Sequence, residues 1–191
     1  MKKISFIFLY FVFSTSLFAQ NIDSIYVKFY SYSDYLKTNK KEGDLNRNVL
    51  DIAAKLNFQS PQKYLDEAVF LLEKGQFNEA SYIFILGEMR WKYYSNFFKY
   101  TAEEYDKKNE LESTINAFLR SNVRNFAAII NKASQYHLAN DYVFCSRKKK
   151  PLYYDEAAGF YTRLGNQIVI NEAYFTNMWS KERRDFENEI K

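Results

Sequence analysis

Few residues of this chain have the chemistry of a reactive site, and they fall into no recognised catalytic spacing. His137 is the only histidine and Cys145 the only cysteine. A histidine or thiolate metal cluster therefore has no second ligand of its kind, and the familiar haem and zinc ligand sets do not fit. A serine triad would have to pass through His137, yet no Gly-x-Ser-x-Gly elbow surrounds any serine. No Gly-rich loop is present to cradle a phosphate. The expectation is no cofactor and no metal. Carboxylates are plentiful at 23 Asp and Glu, so a pair of the glycoside-cleaving kind stays open as an alternative, although nothing singles out two of them.

Arg90 is the anomalous charge. The segment from Asn78 to about Tyr100 contains no breaker and reads as one helix. Ala80, Phe84, Gly87, Trp91, Tyr94 and Phe98 form one stripe, and Tyr82, Leu86, Met89, Tyr93, Phe97 and Tyr100 a second, roughly opposite. A helix apolar on two sides is the central helix of its domain. Arg90 falls between the stripes, where an unpaired guanidinium is very costly. The first expectation is a carboxylate partner, or a side chain that snorkels along aromatic rings. The functional alternative is an anion or carboxylate clamp walled by aromatic rings, which makes Arg90, Trp91 and Tyr94 the candidate binding residues. Asn122, His137 and Asn171 lie on apolar stripes of later helices and read as core polar groups satisfied by backbone or tyrosine hydroxyls.

The elements that must position these residues are helical. Val49–Phe58 is a short amphipathic helix. Ser60-Pro61 starts another, with Ser as N-cap and Pro in the first turn, and Lys74-Gly75 stops it. Thr101 and Glu104 have capping-box spacing. From Leu111 to about Asn140 the apolar positions keep phase at ~100° per residue, which predicts one long helix. A loop follows, with Cys145 and the run Arg147 to Lys150. A last helix begins near Tyr153, with an apolar stripe running on to Phe175, Trp179 and Phe186 and a candidate break at Gly165-Asn166. Residues 21–35 are Tyr- and Ser-rich, with Ile25, Val27 and Phe29 alternating against Tyr26, Lys28 and Tyr30, and read as an extended arm, in which Tyr26, Tyr30, Tyr32 and Tyr35 are interface candidates. The expectation is an all-α, compact domain of about five helices over 49–191, with an extended arm and polar loop over 20–48.

Residues 1–19 have the order of a secretory signal: Lys2-Lys3, an apolar run from Ile4, then Ala19 before a polar stretch. No Cys follows the run, which argues against a lipid anchor. A periplasmic or secreted protein is expected, with no stable membrane span after cleavage. The whole chain carries 27 Lys and Arg against 23 acids, and loss of Lys2 and Lys3 leaves 25 against 23, a net +2. So small a charge gives no reason to expect a nucleic-acid partner. With 47% apolar and 19% aromatic residues, two Pro and five Gly, the chain is not disordered.

Gly75-Gln76-Phe77-Asn78-Glu79-Ala80, with Phe84 and Gly87 after it, resembles the turn and second helix of a tetratricopeptide repeat. Tyr64, Ala68 and Leu71 supply the first-helix positions, and Tyr154 to Ala157 with Tyr161 and Leu164 echo the second-helix half. The likeness covers about 30 residues and shows no sustained ~34-residue period. It implies a helical hairpin that binds a protein or peptide. The expected function is therefore exported binding or interaction, with an immunity or inhibitor protein as one form. A cell-envelope hydrolase using a carboxylate pair is the alternative.

Overall fold

The computed structural model describes residues 25–145 and 151–171. The expected signal at 1–19, the run Arg147 to Lys150 and the positions Phe175, Trp179 and Phe186 lie outside them. Among the described residues the fold is all-α, with seven helices and no strand. They are α1 (25–39), α2 (Asn48–Leu56), α3 (Pro61–Glu73), α4 (Phe77–Tyr94), α5 (Ala102–Arg120), α6 (Val123–Ala139) and α7 (Pro151–Ile170), with a 3-10 turn at Val143–Cys145. None is long and apolar enough to cross a membrane.

Residues 25–39 correct the expected extended arm, because they are helical. Phe29, Ser33 and Leu36 are the buried positions. Their spacing of four and three puts them on one helical face. Phe29 meets the rings of Phe77 and Phe118 at 5.0 and 5.5 Å. The apparent period-two pattern rested on Ile25, Val27 and Phe29, of which only Phe29 is buried while Val27 is 50% exposed.

The α3–α4 hairpin follows from its turn. Gly75 has φ +72°, and its N–H donates to Leu72 O while Gln76 N–H donates to Leu71 O, both at 2.9 Å. This is a Schellman closure, in which a glycine takes the left-handed position without a Cβ penalty. Gly87 lets the two helices approach: a Cβ there would lie 2.6 Å from Tyr64 Cβ. α4 packs against α2, α3, α5, α6 and α7, and every residue from Phe77 to Gly87 is buried. It is the central helix.

Two helix boundaries differ from the expected ones. α4 ends at Tyr94 instead of about Tyr100. Ser95 Oγ donates to Lys92 O at 2.7 Å, and Asn96 Nδ2 donates to the carbonyls of Lys92 and Tyr93 at 3.1 Å. Side chains thus take the terminal carbonyls that a further turn would have used. The long helix expected over 111–140 is two, broken at Ser121-Asn122. Asn122 has extended backbone, and its side chain accepts from Asn125 N at 3.1 Å. It is an N-cap, so its place on the apolar stripe was incidental. The capping box at Thr101 forms in both directions, at 2.7 and 3.2 Å.

α7 runs unbroken through Gly165-Asn166. A Cβ at Gly165 would lie 2.7 Å from Asn131 Oδ1 on α6, so the glycine serves the close packing of α7 on α6.

Candidate functional site

Arg90 points from α4 into the core and is 0% exposed. Its Nη1 lies 2.9 Å from His137 Nδ1 on α6. Its Nη2 donates to Asn57 Oδ1, after α2, and to the Asn140 carbonyl, after α6, each at 3.2 Å. The guanidinium carbon stands 5.1 Å from the centroid of the Tyr142 ring. Tyr64 donates its hydroxyl to the same Asn57 Oδ1 at 3.0 Å, and Asn57 Nδ2 donates to Tyr136 at 3.1 Å. These partners are neutral acceptors and rings.

Two electrostatic consequences follow. Burial pushes the Arg90 pKa down, and the neighbouring Tyr64 opposes that shift. Burial likewise pushes the Tyr64 hydroxyl up to about 12. Arginine has only donors, so His137 Nδ1 must accept, and the ring is neutral with its proton on Nε2. The cluster joins α3, α4, the end of α6, the α2–α3 connection and Tyr142, just before the 3-10 turn. It is built as a structural lock on helix positions.

Trp91 and Tyr94 follow Arg90 on α4 but face elsewhere. Trp91 is buried and stacks on Tyr100, with centroids 3.5 Å apart and planes 13° off parallel. Tyr94 is half-buried against Phe98, Tyr100 and Phe144. One chain of rings, Tyr142 to Phe144 to Tyr94, connects this aromatic cluster to the Arg90 site. His137 and Asn122 are buried as expected. Asn171, by contrast, is exposed, with its Nδ2 donating to Gln167 O at 2.9 Å. Cys145 is a buried thiol.

A second polar cluster joins α4, α5 and α7. Tyr161 donates to Glu88, whose carboxylate also lies 3.5 Å from Lys108 Nζ, and Lys108 pairs with Glu112 at 2.7 Å. Burial and the Glu88 charge push the Tyr161 hydroxyl far above its ordinary range. With Lys92 Nζ 4.0 Å from the same Glu88 carboxylate, two acids face two bases here. Among the described residues no group of three or more His, Cys, Asp or Glu is placed to hold a metal.

The open concavity lies elsewhere, between α1, α3 and α5. It has a volume of about 420 Å³, within the usual range for ligand sites. Leu65 and Leu72 of α3, Leu111 of α5 and Ile25 of α1 make it apolar, and Val69 stands in it 43% exposed. Asp66, Glu73 and Glu110 are acids on its walls, with Lys107 the base. From Gln62 to Glu73 is eleven residue steps, or ~16 Å of groove at 1.5 Å per residue. None of Arg90, Trp91 and Tyr94 lines it. Sequence reasoning missed this site. Its one signal was Val69-Phe70, two large apolar residues in excess of the core stripe of Tyr64, Leu65, Ala68, Leu71 and Leu72.

Comparison with protein-family models, curated proteins and solved structures finds no match for this chain.

Proposed function

We propose that this is an exported interaction protein that seats a protein or peptide segment in the groove between α3 and α5, an immunity or inhibitor protein being one form of it. The carrying observation is the groove itself: an apolar floor ~16 Å long, with Val69 left exposed on a surface helix. The α3–α4 hairpin supports the reading. The residues that carry the tetratricopeptide likeness (Gly75, Phe77, Ala80 and Gly87) are spent on the turn and on the inner face of α4. That leaves the outer face of α3 for a ligand. Arg90, Trp91 and Tyr94 then act behind the groove, holding α4 as the rigid support of α3.

The hydrolase alternative has less behind it. Asp66, Glu73 and Glu110 are exposed, whereas a general acid is made by drying its surroundings. Affinity capture from cell-envelope extract on wild type, Val69→Arg and Phe58→Arg tests the proposal. Phe58 is exposed after α2 and lies outside the groove. The expected partner is retained by wild type and Phe58→Arg and lost by Val69→Arg. A partner retained equally by all three would refute the groove, and turnover of peptidoglycan abolished by a single carboxylate change would favour the hydrolase.

A further inference from the structure

The groove also carries information about the charge of what it takes. α3 and α5, its two long walls, together bear eight acidic and four basic side chains, in a chain whose total is net basic. Acid is therefore segregated onto these walls. Within the groove Asp66, Glu73 and Glu110 stand against one base, Lys107, so acid sets the sign of the local field. Asp66 is reached by Lys63 at 3.0 Å, and both side chains of that pair are more than half exposed, so an incoming cation displaces little.

Resting on the reading of the groove as a partner site, we propose that its occupant is a cationic amphipathic segment: apolar side chains on the Leu65–Leu72–Leu111 floor, with Lys or Arg beside Asp66, Glu73 and Glu110. Apolar burial supplies the affinity, and the acidic walls supply the sign preference. An acidic segment of the same apolar pattern meets like charge on both walls.

The test uses two labelled synthetic peptides of about 15 residues, one built from Leu and Lys and the other from Leu and Glu with Leu at the same helical positions. Binding is followed by fluorescence anisotropy at low and high salt. The wild type should prefer the Leu/Lys peptide by about ten-fold or more at low salt, since three rim pairs of ordinary strength sum to that ratio. The preference should shrink as salt rises. Replacing all three acids (Asp66→Asn, Glu73→Gln, Glu110→Gln) should bring the two peptides within about two-fold. Val69→Arg should abolish binding of both, while Phe58→Arg should not. Equal binding of the two peptides, or a preference untouched by the triple replacement, overturns the cationic occupant. The partner reading survives that result if capture remains sensitive to Val69→Arg. Val69-dependent self-association in sedimentation overturns the proposal in favour of a second copy of this chain.

Discussion

Arg90 Nη1 and His137 Nδ1 stand 2.9 Å apart inside the fold, joining residues 47 positions apart on α4 and α6. One partner is a permanent cation and the other must be a neutral acceptor. The pair exists only while His137 is unprotonated, because an imidazolium would present a donor and a like charge to a buried guanidinium.

Alkali acts through the buried tyrosines. Burial raises the hydroxyls of Tyr64 and Tyr32 to about 12, with Glu79 adding to the effect at Tyr32. An unfolded tyrosine ionises near pH 10, so their contribution is whole below pH 10 and is lost as pH climbs toward 12. Tyr64→Phe should flatten the stability curve over that window, as followed by thermal melts in parallel with tyrosinate absorbance.

Replacing Arg90 separates charge from volume. Arg90→Ala opens a cavity and strips donors from Asn57, His137 and the Asn140 carbonyl, at a cost of about 3 kcal/mol. Arg90→Met fills most of the space without burying a charge and should lose less than half of that. Chemical denaturation of both variants beside Lys92→Ala gives the comparison. A melt of Arg90→Ala level with that control would contradict the lock.

Two glycines of the hairpin should respond for different reasons. Gly87→Ala places a methyl 2.6 Å from Tyr64 Cβ, and overpacking of this kind costs about 1–3 kcal/mol. At Gly75 the space around a Cβ is open, but φ is +72°. Alanine there costs only the left-handed penalty of about 1 kcal/mol. Gly75→Asn, which tolerates that region, should recover part of the loss. Equal losses at the two positions would mean that the close approach of α3 and α4 is not specific.

The helical class, the turn at Gly75, the capping box at Thr101 and the centrality of α4 were legible because each depends on local chemistry or on a long periodic stripe. The burial of Arg90 was legible too, as an interruption in the apolar arc of α4. Its partners were not, since His137 and Asn57 reach it only through tertiary packing. The break at Asn122 was hidden because an N-cap asparagine can fall in phase with an apolar stripe by chance. α1 was misread because an exposed Val27 between Ile25 and Phe29 imitates alternation. The groove left the weakest trace, for an exposed Val69 differs from a core valine only once the neighbouring helices are in place.

The most direct test of the groove places a photo-crosslinking amino acid at Val69, with Phe58 as the control position, and irradiates the protein in envelope extract. The account predicts one dominant adduct from Val69, absent from Phe58, whose crosslinked segment carries apolar residues with Lys or Arg among them. Matching adducts from both positions, or none from Val69 under conditions in which the wild type retains its partner, would contradict it.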